Sequence, residues 1–185
     1  MSETVFTVRN PGSAADCARD LTDYLLTHNL TVSCAESATC GLVAKYLTDR
    51  SGSSLWFWGG MATYSVQAKK KILGVAPSVL DDPAKGPVSA ECAAMMADGI
   101  RKISGTDLAL SVTGIAGPTG EEPEKPVGTV YLGFSSSFRK TETIRIFVPG
   151  AGREECREAF AACCMALALA YAQGRAIVDI ARNWV

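Results

Sequence analysis

The stretch that decides the fold is TVSCAESATCGLVAKYL, residues 31–47. It begins with a short β-prone run over 31–35 and ends with an apolar segment of helical periodicity over 42–47. A turn of small polar residues, 36–41, lies between them. The order strand, polar turn, helix is typical of an open α/β sheet, in which ligands bind at the carboxyl ends of the strands. We therefore expect a site at this turn, where the new helix would present unpaired N–H groups to an anion or oxyanion.

The rest of the chain alternates between helical and strand-like patterns in the same way. Helical periodicity covers 13–28, 65–73, 90–104 and 153–172, and strand-like runs cover 56–64, 108–112, 129–134 and 143–148. The last two strands predict a hairpin through 135–140, and Gly59-Gly60 predicts a bulge or a close backbone approach. A chain of 185 residues with no internal repeat or low-complexity linker favours a single α/β domain.

Composition and charge exclude several classes of function. A net charge of -1 offers no basic surface for nucleic acid. The longest apolar stretch, 159–172, is shorter than the ~20 residues of a membrane-spanning helix, and the N-terminus has no secretory pattern. Seven cysteines without a C-x-x-C pair predict reduced core thiols rather than a disulfide framework or a zinc site. We predict a cytoplasmic protein with no nucleic-acid or membrane partner.

Ser37 is the candidate nucleophile, because it lies on the strand-to-helix turn. A serine hydroxyl needs a base, and the single histidine, His28, is predicted to be a surface residue at a helix end. A lysine, a carboxylate or a relay through tyrosine would then take the proton. Lys69 begins a run of three lysines in which burial or a second cation could lower a lysine pKa, and Tyr64 precedes it. The alternative is structural: Ser37 caps a helix, Tyr64 packs and Lys69 is solvated.

The motifs that are absent and one long loop narrow the range of possible functions. The sequence contains no P-loop, no G-x-G-x-x-G dinucleotide motif, no H-E-x-x-H and no G-x-S-x-G. A loop rich in Gly and Pro covers 113–128, which is long for a small domain. Loops of this length inside a compact domain usually carry function.

Several motifs, in the right order, resemble one family. They are Ala35-Glu36-Ser37 to Gly41, Gly59 to Ser65 with Lys69 and Leu73-Gly74-Val75, Gly86 to Ser89, Val112 to Pro118 with Gly120, Lys125 to Gly128, and Pro149 to Glu154. Over residues 14–174 the chain resembles the CinA C-terminal domain family, the nicotinamide-nucleotide amidohydrolases. That family usually carries an N-terminal nucleotide-hydrolysing domain, which this sequence lacks, so we expect the stand-alone form.

The resemblance implies both a fold and an activity. The fold is a three-layer α/β/α domain with a mixed β-sheet over 13–174, with an N-terminal extension over 1–12 and a tail over 175–185. The activity is hydrolysis of the carboxamide of nicotinamide mononucleotide to nicotinic acid mononucleotide and ammonia, in pyridine-nucleotide salvage. Neither a metal nor a cofactor is implied.

The resemblance also implies roles for individual residues. By motif, Ser37 corresponds to the nucleophile that forms an acyl-enzyme, Lys69 to the general base and Tyr64 to its proton-relay partner. The residues implied for the oxyanion and substrate cradle are Thr39, Gly41, Thr113, Gly114, Ala116 and Gly117, with Arg153 for the phosphate.

The nucleophile turn departs from the family pattern. Ala38 stands where the family commonly has Cys, and Cys40 stands where it commonly has Gly. A Cβ resists positive φ or close backbone approach, so Cys40 could narrow the pocket or strain the turn by ~1 to 3 kcal/mol. Two further hypotheses therefore stay open: a nucleotide-binding or regulatory domain with impaired turnover, and hydrolysis of a different small amide or ester. Cys40 itself as the nucleophile is a weaker idea.

Self-association is a separate expectation. The last predicted helix is apolar on more than one face. The tail adds the apolar residues Ile177, Val178, Ile180, Trp184 and Val185. These surfaces pack either within the chain or against a second copy, and we expect a homo-oligomer.

Overall fold

The computed structural model describes residues 4–184, along which strands and helices alternate. The strands are β1 (Val5–Thr7), β2 (Val32–Glu36), β3 (Phe57–Ala62), β4 (Leu108–Gly114), β5 (Thr129–Ser136) and β6 (Glu142–Phe147). The α-helices are α1 (Ala14–Thr27), α2 (Leu42–Thr48), α3 (Val66–Leu73), α4 (Pro77–Leu80), α5 (Ala90–Ser104), α6 (Arg153–Ala172) and α7 (Ile177–Arg182), and a short 3-10 helix covers Ser53–Leu55.

The described strands form one mixed sheet in the order β1-β6-β5-β4-β2-β3. β2 lies between β3 and β4 and is parallel to both, whereas β5 is antiparallel to β4 and β6, and β1 is parallel to β6. The register pairs Glu36 with Ala62 of β3 and with Val112 of β4. The carboxyl ends of these parallel strands therefore meet at one edge of the sheet, where the predicted nucleophile turn begins.

Helices cover both faces of the sheet. α1, α2, α6 and α7 form one layer, whose core includes Leu25 and Phe160. α3, α4 and α5 form the other layer, where Met96 packs with Leu73. The predicted three-layer α/β/α arrangement with a mixed sheet is confirmed. None of the helices between residues 4 and 184 combines the length and the apolar character that crossing a membrane needs.

Caps explain where α3 and α5 begin and end. Ser65 Oγ and Ser89 Oγ each accept a hydrogen bond from the amide three residues later, at 3.1 and 3.2 Å. Each helix ends at a glycine in the left-handed conformation, Gly74 and Gly105. The start of α3 matters most, because it determines which face of the helix Lys69 occupies.

The predicted bulge lies in β3, where the register against β2 shifts. At the next residues the two strands come close together. A Cβ on Gly60 would lie 2.7 Å from Cys34 Sγ and 3.2 Å from Ala44 Cβ. A side chain at this position would therefore push β3 away from β2 and α2, and both predictions for the glycine pair are confirmed.

The predicted N-terminal extension over 1–12 contains a strand that the sequence analysis missed. Residues 1–3 lie outside the described residues. β1 pairs with β6 as an edge strand, Phe6 is buried, and the amide of Val8 donates to the carbonyl of Phe147 at 2.8 Å. The segment is part of the sheet rather than an appendage.

The tail over 175–185 packs on its own chain. α7 buries Ile177 and Ala181 against α6, and Ile180 and Trp184 pack beside them, while Val185 lies outside the described residues. The sheet, α1, α2 and α7 cover the apolar faces of α6. The apolar faces of α6 therefore do not need a second copy of the chain to cover them. The homo-oligomer stays a prediction.

Candidate active site

Ser37 follows the last residue of β2, at the edge where the parallel strands end. Its amide donates to the carbonyl of Val112 at 2.9 Å, which fixes the turn against β4. The residue is only 8% exposed, and it lines one cleft. α2 begins further along, with Gly41 rather than Ser37 at its N-cap, so the hypothesis that Ser37 merely caps a helix is wrong.

Lys69 lies on the buried face of α3 and is 2% exposed. Its Nζ donates to Ser37 Oγ at 2.8 Å and to the carbonyl oxygens of Thr63 at 2.9 Å and Tyr64 at 3.3 Å. The hypothesis of a solvated Lys69 is therefore wrong. The structure brings together two side chains that are 32 residues apart in the sequence.

Burial shifts the protonation of Lys69 toward the neutral amine. Burial lowers the pKa of Lys69 from its ordinary 10.5, because the ammonium loses its hydration, and nearby Cys92 opposes this to a smaller extent. A second cation from the lysine run does not contribute to this lowering of the pKa, since the next two lysines are exposed. Burial is the cause.

The hydrogen bonds also orient the lone pair of Lys69. The carbonyl oxygens of Thr63 and Tyr64 can only accept. When the ammonium loses a proton, its two remaining N–H groups stay with these carbonyls, and the lone pair is left facing Ser37 Oγ. The neutral amine is then oriented to accept the hydroxyl proton of Ser37.

Tyr64 contacts Lys69 through its backbone rather than its phenol. The residue is 60% exposed and lines the cleft, so the hypothesis that it simply packs is wrong. Within the described residues, the phenol forms no hydrogen bond with Ser37 or Lys69. The relay role implied by the resemblance stays a prediction.

The cleft at Ser37 has a volume of about 260 Å³ and is lined mainly by the turn, α3 and the loop after β4. Of the predicted substrate residues it contains Thr113, Gly114, Ala116, Gly117 and Arg153. Arg153, the first residue of α6, donates through Nη1 to the carbonyl of Gly117 at 2.5 Å and so holds the loop. Thr113 Oγ1 donates to the carbonyl of Pro87 at 2.6 Å.

Gly117 is a position where the loop requires glycine. Its φ is +79°, and a Cβ there would lie 2.5 Å from Val127 Cγ1. Pro87 and Val88 also line the cleft, as does Glu122, which pairs with Lys125 at 3.0 Å. None of these lining residues was predicted for the site, although Gly86 to Ser89 and Lys125 to Gly128 carried the family resemblance.

Thr39 and Gly41, predicted for the cradle, do not line the cleft. Thr39 is fully buried, and its hydroxyl lacks a hydrogen-bond partner in the described structure. Cys40 has a positive φ of 48° and an exposed side chain. The expected strain at Cys40 therefore has a structural basis, whereas the narrowing of the pocket does not, because its side chain is not among the groups lining the cleft.

The expectation of unpaired N–H groups at the start of α2 is wrong. Glu36 is buried, and its carboxylate accepts hydrogen bonds from the amides of Gly41, Val43 and Ala44 at 2.9, 3.1 and 2.9 Å. The carboxylate occupies the position that an anion was expected to take. The signal in the sequence was an acidic residue at a strand end before a helix without a Ser, Thr or Asp cap.

A depression of about 430 Å³ lies between α1 and α2, lined by residues such as Thr22, Tyr46 and Arg50, and it is separate from the cleft at Ser37. Among residues 4–184, no group of three or more His, Cys, Asp or Glu side chains is arranged to hold a metal ion.

The fold and the cleft define an α/β/α domain of mixed sheet that carries a buried serine–lysine pair at the carboxyl edge of its parallel strands. The model of the CinA C-terminal domain matches residues 14–172, and the chain belongs to this family. A CinA-like protein of Geotalea daltonii is 50% identical over 127 residues, which cover 69% of this chain and 30% of the relative. A CinA-like protein of Leptospira interrogans is 42% identical over 142 residues, 77% of this chain and 34% of the relative. The chain thus spans about a third of the length of these curated relatives.

Solved structures show the same similarity. The competence/damage inducible protein CihA from Agrobacterium tumefaciens superposes with a TM-score of 0.83 at 36% identity, covering 88% of this chain and 98% of that one. A competence or damage-inducible protein from Enterobacter asburiae has a TM-score of 0.80 at 26% identity, covering 86% and 98%.

Proposed function

We propose that this protein is a serine amidase that hydrolyses the carboxamide of nicotinamide mononucleotide to nicotinic acid mononucleotide and ammonia. The observation that carries the proposal is the 2.8 Å contact between Lys69 Nζ and Ser37 Oγ in a buried position open to a cleft. A serine hydroxyl becomes a nucleophile when a base next to it takes its proton, and a buried lysine can be neutral enough to do so.

The first half of the reaction forms an acyl-enzyme. Ser37 Oγ attacks the carboxamide carbon while its proton moves to Lys69 Nζ, which gives a tetrahedral oxyanion and an ammonium. The carbon–nitrogen bond then breaks, and Lys69 returns the proton to the leaving nitrogen, which departs as ammonia. The pyridine carbonyl stays on Ser37 as an ester.

The second half releases the acid. A water molecule attacks the ester carbon, and Lys69 takes one of its protons. The bond between the carbon and Ser37 Oγ breaks, and the proton held by Lys69 returns to Ser37. Because the same lysine serves as base and acid in each half, one buried amine suffices for the cycle. Tyr64, whose carbonyl holds Lys69, keeps its proton-relay role as part of this proposal.

The choice of substrate rests on the family and on the charge of the cleft. Arg153 brings a guanidinium to the same cleft as Ser37, and guanidinium groups bind phosphate through paired hydrogen bonds. The loop residues Thr113, Gly114, Ala116 and Gly117 bring the backbone close to a ligand. A nucleotide could therefore place its phosphate at Arg153 and its amide at Ser37.

The departure at Cys40 bears on the alternative of an impaired nucleotide-binding domain. The Cys40 side chain is exposed and is not part of the cleft, while the Ser37–Lys69 contact is intact. These observations favour turnover over binding alone. The third hypothesis, a different small amide or ester, uses the same machinery and differs only in substrate.

The test is ammonia release from nicotinamide mononucleotide by the wild type, Ser37→Ala and Lys69→Ala. We expect stoichiometric ammonia from the wild type, none from Ser37→Ala and a rate at least ~10²-fold lower from Lys69→Ala, since general-base catalysis contributes this much. Undiminished turnover by Lys69→Ala would exclude the mechanism.

Two controls separate the alternatives. Calorimetry with nicotinamide mononucleotide that shows binding without ammonia release would instead support the impaired domain. A panel of small amides and esters, in which another compound is hydrolysed and the nucleotide is not, would support the third hypothesis.

A further inference from the structure

Glu36, the last residue of β2, has a carboxylate that makes an unusual set of contacts. The residue is 1% exposed, and Oε2 accepts from the amides of Gly41 and Val43 while Oε1 accepts from the amide of Ala44. The thiol of Cys34 also donates to Oε1 at 3.5 Å. The carboxylate therefore caps the first turn of α2 from inside the protein. Because Glu36 directly precedes Ser37, this cap also holds the start of α2 next to Ser37.

The backbone of Glu36 is also linked to Lys69, through hydrogen bonds to Thr63. The carbonyl of Glu36 accepts from the amide of Thr63 at 2.8 Å, and the carbonyl of Thr63 accepts from Lys69 Nζ at 2.9 Å. Thr63 is fully buried, so its peptide groups have little room to move. A shift of Glu36 is thus transmitted to Ser37 through a covalent bond and to Lys69 through one residue.

We propose that Glu36 is a positioning residue, which holds Ser37 and Lys69 at reacting distance and fixes the turn in which the amide of Ala38 is free to bind the oxyanion. The inference rests on the proposed function in taking Ser37 as the nucleophile. Ala38 lines the cleft, and within residues 4–184 its amide forms no hydrogen bond. An amide directly after a nucleophile is well placed to donate to the oxyanion.

The test compares Glu36→Gln with the wild type. Glutamine has the same shape but replaces one acceptor oxygen with an NH₂ group, which faces at least one backbone N–H and cannot accept from it. We expect kcat to fall about 10²-fold, as for a misplacement of about 1 Å, with KM changed less than about threefold, because the substrate contacts lie on the loop after β4 and on Arg153. Unfolded protein would also lower the apparent kcat without changing KM, so kcat is calculated per folded molecule, with the folded fraction measured by circular dichroism.

A second readout does not depend on the substrate. The rate at which a fluorophosphonate labels Ser37, followed by intact mass, reports the reactivity of the hydroxyl alone. We expect Glu36→Gln to be labelled about 10²-fold more slowly than the wild type. If the wild type is labelled but releases no ammonia from the nucleotide, the proposed substrate fails while the role of Glu36 is still tested. A wild type that shows neither labelling nor turnover overturns both proposals.

Two further variants keep the test decisive. Glu36→Asp retains the charge and both acceptors on a shorter arm, so it should recover part of the labelling rate lost by Glu36→Gln. If Glu36→Gln does not fold, Glu36→Asp is compared with the wild type directly. Ser13→Ala removes the cap of α1, far from the cleft, and controls for loss of stability alone. Wild-type kcat and labelling in the folded Glu36 variants, or a loss equal to that of Ser13→Ala, overturns the proposal.

Discussion

Gly99 of α5 packs against the backbone of Leu73 at the end of α3, the helix that carries Lys69, which allows a test far from the cleft. A Cβ at Gly99 would lie 2.2 Å from the carbonyl oxygen of Leu73, and ordinary contact begins at 3.4 Å. Gly99→Ala therefore forces a movement of about 1.2 Å. α5 is packed on β4 and β5, whereas α3 is exposed over most of its length, so α3 is the element that moves.

The displacement reaches the reacting atoms because Leu73 lies one helical turn after Lys69. If Lys69 Nζ moves with α3, its distance from Ser37 Oγ rises from 2.8 Å to about 4 Å, which is beyond hydrogen-bond reach. We expect kcat for ammonia release to fall about 10- to 100-fold. Folding stability should change by less than about 2 kcal/mol, since the gain in helix propensity offsets part of the overlap.

The matched control is Gly105→Ala, the same substitution at the end of the same helix. Gly105 has a φ of +70°, and no atom lies within 4 Å of an added Cβ. This variant should lose about 1 kcal/mol of stability and keep its kcat. A Gly99→Ala protein with kcat within twofold of wild type, or a Gly105→Ala protein equally impaired, would refute the reasoning.

Three shorter predictions concern the pH dependence, the turn and the phosphate. Because the base must be neutral and burial lowers the pKa of Lys69, kcat/KM should rise with pH through an apparent pKa below 10.5, and a rate that falls with pH over this range would contradict the role of Lys69. Cys40→Gly removes the cost of a positive φ and should raise Tm by about 2–4 °C with kcat unchanged, as thermal scans and ammonia release can check; a several-fold gain in kcat would instead support the impaired-domain hypothesis. Arg153→Gln should raise KM for nicotinamide mononucleotide about 10- to 100-fold with kcat nearly constant, and it should raise KM for nicotinamide riboside, which lacks the phosphate, much less, since only the contact with the Gly117 carbonyl is then lost.

The sequence predicted the longer helices and β3 at one edge of the sheet, but neither the short helices α4 and α7 nor β1 at the other edge. Ser65 and Ser89 start α3 and α5 as their capping chemistry predicts, and Gly74 and Gly105 end them. β1 was missed because a strand of three residues has too little alternation to be recognised, and only its pairing with β6 makes it regular.

The candidate site was likewise only partly predictable from the sequence. The turn at Ser37 could be found because a small polar turn between a strand and a helix is a local pattern. The cap from Glu36 left only an indirect signal, an acidic residue before a helix without a Ser, Thr or Asp cap, since a strand-end carboxylate turns back onto α2 only when the helix folds against β2. The prediction that α2 offers free amides failed for this reason.

By itself the sequence determined the order of the longer strands and helices, the position of the nucleophile turn and the glycines of the loop, because each depends on neighbours along the chain. Only the tertiary structure decided that Lys69 is buried and that its lone pair faces Ser37. That outcome requires the parallel pairing of β2 with β3, the start of α3 at Ser65 and the enclosure of the amine, which together bring distant residues to 2.8 Å and lower the pKa of Lys69. Desolvation acts through space, and spacing along the chain does not reveal it.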